Sequence, residues 1–420
     1  MGRPPTRRVS VEALVSSAYR GRPNSAMIEI ADRCNETCVH CYQVQGQKGE
    51  MPTAQVEEIL RDLAASGILF LTISGGEATL RSDLLDIIRT ARDLGFVVNL
   101  FTNGLRVTPE LAGELAALEV RQVEISLYAD QAEKHDWITQ VPGSFDKTVS
   151  AIRSLVAAGL SVMVKTPLMV TNMHRQDQFE QWVTGLGAVP SISPDLKPRE
   201  GGDRSPEALR ADRESSLRAY ERMGLLPEPG KPLAPPEPTR GLCGACRHVH
   251  IEADGQLRPC SMLEVPIGDA KKGKIVDQVE HSPAAEFMRE ATWNDLPGCH
   301  ECAIASLCQR CHAHALAQVG DALRPYPSAC SFALARWEHQ MGVKSGFDWA
   351  AHQTVGPFRA GADGGLERFD AVATPEQEQL YREHPWLKGV GQPPVPAARP
   401  GELVQLRRPG RRDRAEKVPE

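Results

Sequence analysis

The sequence has no long run of uncharged apolar residues. The stretch MGRPPTRRVSVEALVSS lacks the apolar core of a secretory signal, and no segment approaches the roughly 18 apolar residues of a membrane span. Positive charge is not in excess either, because 48 lysines and arginines face 54 aspartates and glutamates, a formal net charge of -6. Binding to nucleic acid or to an anionic membrane requires clustered basic residues. We therefore expect a cytoplasmic protein that binds neither nucleic acid nor membrane.

Cysteine is missing from the middle of the chain, since none of the 11 cysteines lies between Cys41 and Cys243. In a reducing compartment thiols stay free for metal binding or catalysis rather than forming structural disulfides. The eight cysteines of the later group are enough for two sites of four thiolates, whereas the first group is one ligand short. The first group is Cys34, Cys38 and Cys41, and the later group is Cys243, Cys246, Cys260, Cys299, Cys302, Cys308, Cys311 and Cys330.

The composition of 41% hydrophobic and 24% charged residues over 420 residues indicates two or three ordinary globular domains. Helical patterns separate short β-branched or apolar runs, as in Val56, Ile59, Leu60 and Leu63, which predict one buried helix face. Thr108 followed by Pro109 predicts a helix start. The predicted strands are AMIEIA (26–31), ILFLTIS (68–74), FVVNLFT (96–102), VRQVEISLY (120–128), LSVMVKTPL (160–168) and, more weakly, VPSISPDL (189–196).

Alternation of strand and helix implies parallel strands with right-handed crossovers, as in a doubly wound sheet or an incomplete (β/α) barrel. The position of the first cysteines favours the barrel, because they directly follow the first strand and barrel enzymes place their active sites at the carboxyl ends of the strands. We therefore predict an α/β fold with a partial (β/α)6 TIM-type barrel over residues 26–197, after an N-terminal extension at 1–25.

The rest of the chain predicts three further segments. Residues 198–239 contain a helical pattern and a Pro-rich linker, and residues 240–335 form a small cysteine-rich domain that we expect its ligands to order. Residues 336–420 are expected to be largely a disordered tail, because glycine, proline and charge dominate, with five arginines between Arg407 and Arg414. Docking of an acidic peptide or partner on these arginines is the alternative interpretation.

The three-cysteine loop indicates a metal site with an open position. His40 is a possible fourth ligand of a structural zinc site. A cubane [4Fe-4S] cluster held by three cysteines instead leaves one iron open for a substrate or cofactor. The stretch CNETCVHCY (34–42) resembles the CxxxCxxC signature of the radical S-adenosylmethionine (radical SAM) superfamily, including the aromatic Tyr42. The resemblance implies that the methionyl amino and carboxylate groups of S-adenosylmethionine chelate the open iron.

Further candidate cofactor-binding residues stand at the ends of the next strands. Gly75, Gly76 and Glu77 follow the second strand and resemble the GGE motif of the family, which implies binding of the cofactor's amino group, although Ala78 replaces the usual proline. Asn103 and Ser126 end the third and fourth strands. Their residue types also suit turns or satisfied strand-end hydroxyls, but the resemblance implies polar contacts to the ribose and carboxylate of the cofactor.

The later cysteines resemble the SPASM domain that follows the barrel in many radical SAM enzymes, although only two residues separate Cys308 from Cys311 where three are usual. The resemblance implies two auxiliary [4Fe-4S] clusters, three clusters in all. Two structural zinc sites are the alternative. One auxiliary cluster is assigned to Cys243, Cys246, Cys260 and Cys311, and the other to Cys299, Cys302, Cys308 and Cys330.

The same resemblance implies the chemistry and its partners. An electron from a donor such as a flavodoxin or ferredoxin cleaves S-adenosylmethionine to methionine and a 5′-deoxyadenosyl radical, while the protein orients the reactants and excludes water. The radical abstracts a hydrogen atom from a peptide or protein substrate, and oxidative cross-linking is the expected outcome. Catalytic acids and bases remain unknown, and the unranked candidates are Tyr128, Asp136, Asp195 and Glu264.

The substrate class rests on weaker resemblance. The stretches WITQVPGSFDKTVSAI, VKTPLMVTN and GGDRSP are similar to maturases of ribosomally synthesised peptides, and Ser261 replaces the aspartate of sulfatase maturases. About 25 residues precede the first strand, too few for a leader-binding domain, so we expect a separate leader-peptide recognition protein or direct binding. The alternatives are a radical SAM enzyme for a small molecule or tetrapyrrole, a sulfatase-type protein maturase, and a non-catalytic zinc-binding module.

Overall fold

The computed structural model describes residues 23–230, 246, 248–347, 356–362 and 364–389. Strands and helices alternate through its first part. The strands β1–β6 are Ser25–Ala31, Phe70–Gly75, Val97–Thr102, Gln122–Ser126, Ser161–Pro167 and Val189–Ser193. The helices α1–α6 are Thr53–Ala65, Leu84–Asp93, Pro109–Ala117, Ala132–Thr139, Ser144–Ala157 and Gln176–Gly185.

The first six strands are parallel and follow one another across the sheet in the order β6-β5-β4-β3-β2-β1. A doubly wound sheet reverses direction at a switch point between strands. These strands instead wind in one direction, as in a barrel. The prediction of a partial (β/α)6 barrel is therefore confirmed.

Side-chain alternation gives the sheet two different faces. Ile28 and Ile73 lie in the apolar core that also contains the predicted face of α1, Val56, Ile59, Leu60 and Leu63. Glu29, Ser74 and Lys165 occupy alternate positions, on the opposite face. Thr108 caps α3 as predicted, since its hydroxyl accepts the Leu111 N–H at 3.2 Å.

The cysteine-rich region extends this sheet. Strand β7 (Val249–Ile251) pairs in parallel with β1, and β8 (Gln256–Arg258) and β9 (Gly268–Asp269) follow antiparallel. The sequence does not predict these strands, because two or three residues carry no periodic signal. The helices after the barrel, α7–α11, are Arg213–Arg222, Ile275–Glu280, Pro283–Glu290, His312–Val319 and Pro327–Met341.

Residues 356–362 and 364–389 fold onto the cysteine-rich region as a hairpin of β10 (Phe358–Ala360) and β11 (Leu366–Arg368), followed by α12 (Pro375–Glu383). The Tyr381 hydroxyl donates to the Asp321 carboxylate at 2.9 Å. The expectation of a largely disordered tail is wrong for these residues, because buried aromatic side chains anchor them. Arg407 to Arg414 lie outside the described residues. In the part of the chain that the structure describes, no helix is long and apolar enough to cross a membrane.

Candidate active site

The three-cysteine loop leaves the carboxyl end of β1 and is fastened to the end of α4. The backbone N–H groups of Thr37 and Val39 donate to the carbonyls of Thr139 and Ile138 at 3.1 and 2.9 Å. Burial is the main cause that raises the pKa of Cys34 and of Cys38, and a negative charge on Cys41 raises both further, so the three thiols are neighbours. The loop therefore gathers all three predicted ligands at one strand end.

The surroundings of these thiols suit a cationic metal cluster. Burial raises the pKa of the Cys34 thiol to about 12 and that of Cys38 well above its ordinary value. Because thiolates are the metal-binding form, the cluster itself would stabilise the charged sulfurs. Within the described residues, no three Cys, His, Asp or Glu side chains are arranged to hold a single metal ion. The cysteines of a cubane ligate different irons and need not meet at one point.

Glu36, which the sequence analysis missed, lies inside the cysteine loop and is only 2% exposed. The Cys38 thiol donates to its Oε2 at 3.2 Å, whereas its Oε1 has no hydrogen-bond partner among the described residues. Burial raises the pKa of this carboxyl to about 8. A charged residue between two cysteine ligands was the only signal for it in the sequence.

The Gly75-Gly76 turn explains why glycine stands at both positions. Gly75 has φ 142°, and a Cβ there would lie 2.3 Å from the Ala31 carbonyl oxygen. A Cβ on Gly76 would lie 2.5 Å from the Arg33 oxygen. The N–H groups of Gly76 and Glu77 donate to those same carbonyls at 2.7 and 3.0 Å. The turn is thereby held directly against the segment that enters the cysteine loop.

The carboxylate of Glu77 points inward and is only 1% exposed. Its Oε1 accepts from the Thr79 N–H at 2.9 Å and from the Thr102 hydroxyl at 2.7 Å, and its Oε2 accepts from the Asn103 N–H at 2.6 Å. These donors come from two neighbouring strand ends, so Glu77 fixes β2 relative to β3. Its binding to the cofactor's amino group stays a prediction.

Asn103 and Ser126 both connect to the cysteine loop. The Asn103 side-chain amide donates to Asn35 Oδ1 at 2.7 Å and lies 3.6 Å from the Cys34 sulfur. Ser126 hydrogen-bonds the buried Tyr128 hydroxyl, which lies 3.9 Å from the Cys38 sulfur. The ends of β1 to β4 thus meet around the thiols, as the sequence analysis expected.

Tyr42 links the loop to the cysteine-rich region. Its hydroxyl hydrogen-bonds Ser261, the residue after Cys260, and its carbonyl accepts the Glu200 N–H at 2.7 Å. The Lys197 ammonium lies 5.2 Å from the centre of its ring. Tyr42 therefore lies between the cysteine loop and the later cysteines, and its contact with the cofactor stays a prediction.

The other candidates have different surroundings. Asp136 accepts the Gly143 and Phe145 N–H groups at 2.6 and 2.9 Å, which orders the start of α5. Glu264 accepts the Gly201 N–H at 2.9 Å. Neither geometry identifies a catalytic acid or base.

Asp195 lies at the far end of the sheet, after β6. With His314, Arg310 and Cys311 it lines a cavity of about 240 Å³ between the barrel and the cysteine-rich region. Its carboxylate is 3.8 Å from the His314 Nδ1. The Asp195 carboxylate therefore lines the same cavity as Cys311, a predicted cluster ligand.

The later cysteines fall partly into the expected groups. Burial is the main cause that raises the pKa of Cys308 and of Cys330. Negative charge on Cys330, Cys299 or Cys302 raises the pKa of Cys308 further, and charge on Cys299 or Cys302 raises that of Cys330 further. Cys299, Cys302, Cys308 and Cys330, hereafter the four-cysteine site, are therefore neighbours. Cys246, Cys260 and Cys311 were assigned to the other cluster together with Cys243, which lies outside the described residues. That second group stays a prediction.

Comparison with known proteins agrees with this geometry. Residues 28–183 match the model of the radical SAM superfamily. These residues therefore form a radical SAM domain, and such a domain indicates an enzyme. The AdoMet-dependent heme synthase of Methanosarcina barkeri is 27% identical over 340 residues, which are 74% of this chain and 97% of that protein.

Two further proteins are similar over other spans. Mycofactocin maturase MftC of Mycobacterium tuberculosis is 36% identical over 191 residues, 44% of this chain and 48% of its own, so the match spans about half of that protein. The crystal structure of Streptococcus suis SuiB bound to S-adenosylmethionine shares the fold, with a TM-score of 0.57 at 15% identity over 73% of this chain and 77% of that chain. SuiB has also been solved bound to precursor peptide SuiA.

Proposed function

We propose that this radical SAM enzyme matures a ribosomally synthesised peptide by oxidative cross-linking. In this proposal Cys34, Cys38 and Cys41 hold the [4Fe-4S] cluster, and the neighbouring strand ends bind S-adenosylmethionine. The observation that carries the radical SAM part of this proposal is the hydrogen-bonded chain from Glu77 through Asn103 to Asn35, which fixes the GGE turn and β3 against the cysteine loop. Such pre-positioning is what a site for a reactive radical requires.

The cluster, when reduced, supplies one electron that cleaves S-adenosylmethionine into methionine and the 5′-deoxyadenosyl radical. The residues around it have to hold the cofactor and keep water and other hydrogen donors away. The buried Cys38, Tyr128, Ile138 and Met169 pack together behind the loop. This apolar cluster suits the exclusion of water and other hydrogen donors.

Oxidative cross-linking removes two hydrogen atoms from the substrate. The radical takes one as a hydrogen atom; the second leaves as a proton and an electron. The four-cysteine site would hold an auxiliary [4Fe-4S] cluster, and the chemistry that this cluster would supply is one-electron transfer from the substrate to a flavodoxin- or ferredoxin-type protein. The assignment of Cys243, Cys246, Cys260 and Cys311 to a second auxiliary cluster belongs to the same proposal.

A peptide substrate is supported by the 36% identity to mycofactocin maturase MftC and by the fold shared with SuiB, a protein solved with its precursor peptide. A leader-recognition protein remains part of the proposal.

A tetrapyrrole is the second candidate substrate. The AdoMet-dependent heme synthase matches along 97% of its length, a longer span than the maturase match. Both candidates use the same cysteine loop and differ only in what occupies the interior of the barrel. Geometry at the cysteine loop therefore does not separate them.

One experiment separates the two. Anaerobically reconstituted enzyme is incubated with S-adenosylmethionine and a reductant, and 5′-deoxyadenosine formation is measured with a panel of precursor peptides and with heme precursors. The peptide proposal predicts that a peptide raises the rate and loses two mass units. Stimulation by the tetrapyrroles, with no response to any peptide, would establish the second candidate.

A further inference from the structure

The hairpin β10–β11 lies against the four-cysteine site. The Phe358 N–H donates to the Cys302 sulfur at 3.4 Å. The Gly356 N–H donates to the Cys330 thiol. The hairpin is anchored beside Cys302, because the Ala303 N–H donates to the Phe358 carbonyl at 2.7 Å. Two backbone donors from one distant segment thus reach two sulfurs of one site.

Both sides of this contact need glycine. A Cβ on Gly356 would lie 2.7 Å from the Phe358 ring and 3.5 Å from the Cys330 sulfur. A Cβ on Gly298, the residue before Cys299, would lie 2.7 Å from the Pro357 ring and 2.9 Å from the Ala371 side chain. The hairpin therefore fits the cysteine-bearing turn only because each of the two segments has a glycine, with no side chain, at the point of contact.

The Phe358 side chain covers the side of the four-cysteine site that the hairpin contacts. It is 1% exposed and packs in an apolar cluster with Ile304, Leu307 and Trp337. Its ring centre lies 5.3 Å from that of Phe347. Apolar atoms therefore pack against this side of Cys302 and Cys330, while backbone N–H groups supply the polar contacts.

Donors to cysteine sulfur stabilise the more negative, reduced state of an iron–sulfur cluster and raise its reduction potential. We propose that residues 356–362 and 364–369, hereafter the hairpin cap, form the outer coordination layer of an auxiliary cluster at the four-cysteine site. Their N–H groups set its potential, and their side chains shield it from water and chelators. This inference rests on the auxiliary cluster of the proposed function.

The test compares two substitutions at one position. Phe358→Ala removes the ring and keeps the N–H, whereas Phe358→Pro removes both, so their difference isolates the donor. Arg359→Ala, at an exposed position of the same strand, is the control. Redox titration followed by electron paramagnetic resonance gives the potential of each cluster, and an iron chelator gives its rate of loss.

The cap predicts that one cluster has a lower potential in Phe358→Pro than in Phe358→Ala, while the others keep theirs. It also predicts that this cluster loses iron about tenfold faster in Phe358→Pro than in wild type. Equal potentials and rates in Phe358→Pro, Phe358→Ala and wild type would overturn the proposal.

A measurement on wild-type protein keeps the proposal testable if Phe358→Pro does not fold. Protein labelled with ¹⁵N-phenylalanine should show ¹⁵N coupling to one reduced cluster, and equally labelled Phe358→Ala should lose it. Absence of that coupling overturns the cap. Wild type that binds only about four irons refutes the auxiliary cluster itself, and the cap with it, whereas a full iron complement without coupling refutes the cap alone.

Discussion

Glu77 accepts the backbone N–H of Asn103 at 2.6 Å, and this single bond joins the ends of β2 and β3 beneath the cysteine loop. The side chain of Asn103 continues the connection to Asn35 at 2.7 Å. The Glu77 carboxylate, which the sequence suggests is a ligand-binding group, thus also sets the position of β2 relative to β3.

Glu77→Gln should disrupt this connection. An amide offers one acceptor oxygen where the carboxylate offers two, so a buried donor from Thr79, Thr102 or Asn103 loses its partner. The expected cost is about 1–3 kcal/mol of stability, with loss of iron from the first cluster. Thermal unfolding and iron analysis check this, with exposed Glu114→Gln as control. Unchanged stability and iron content in Glu77→Gln would contradict the structural role.

Gly76→Ala should be destabilising, because the added Cβ meets the Arg33 carbonyl at 2.5 Å. Overpacking against backbone typically costs about 1–3 kcal/mol or more, and the cysteine loop should move with it. Gly113→Ala is the matched control, since the Cβ there meets nothing within 4 Å. Gly113 lies in α3. Alanine is a better helix former than glycine, so Gly113→Ala should stabilise the protein by up to about 1 kcal/mol. Shifts of the melting temperature in the same direction for Gly76→Ala and Gly113→Ala would argue against the close approach of Gly76 to the Arg33 carbonyl.

Cysteine substitutions should separate the clusters. Cys308→Ala should remove about four of roughly twelve irons and leave S-adenosylmethionine cleavage without substrate intact. Cys41→Ala should abolish that cleavage and retain the irons of the auxiliary clusters. Iron, sulfide and 5′-deoxyadenosine are measured on each variant. Loss of cleavage in Cys308→Ala, with the first cluster intact, would break the proposed division of roles.

Glu29 introduces a pH dependence. It is 4% exposed on β1, accepts from Gln43 at 2.9 Å and lies 3.6 Å from His250 Nε2. Burial raises its pKa to about 7, while the Lys48 charge opposes the shift. Glu252 and Glu200 also raise it, and burial lowers the pKa of His250 to about 3, which leaves that ring neutral.

The native state therefore holds the Glu29 proton more tightly than the unfolded chain does. The associated stability is complete below the unfolded pKa of about 4.5 and is lost as the pH rises towards 7. The free energy of unfolding of Glu29→Gln should consequently increase relative to that of wild type between pH 5 and 8, by roughly 3 kcal/mol at most. Melting temperatures across that range test this. A constant difference between the two proteins would show that Glu29 does not ionise there.

The sequence predicted the barrel well because each buried strand carries β-branched residues on its core face. Five of the six predicted strands match the observed bounds within two residues at each end, and VPSISPDL extends three residues beyond β6. The strand β7 and the hairpin cap escaped prediction, since three-residue strands have no period to detect. Phe358 is one aromatic residue in a glycine-rich and proline-rich stretch, and its burial depends on Ile304 and Trp337.

At the site, residue spacing predicted the gathering of Cys34, Cys38 and Cys41 and the turn at Gly75. It did not predict that the Glu77 carboxylate faces inward, because the donors that turn it, Thr102 and Asn103, lie on another strand. Glu36 was missed for a similar reason, since only the folded loop shows how deeply that carboxyl is buried. Local sequence specifies the elements, while contacts between elements specify the orientation of their side chains.

The most direct test of the central claim is reductive cleavage of S-adenosylmethionine by oxygen-protected, iron-replete enzyme, with spectroscopy of the first cluster. We predict that the cofactor changes the electron paramagnetic resonance signal of that cluster and that reduction yields 5′-deoxyadenosine, both of which are lost in Cys38→Ala. A full complement of iron with no spectral change and no 5′-deoxyadenosine would contradict the claim.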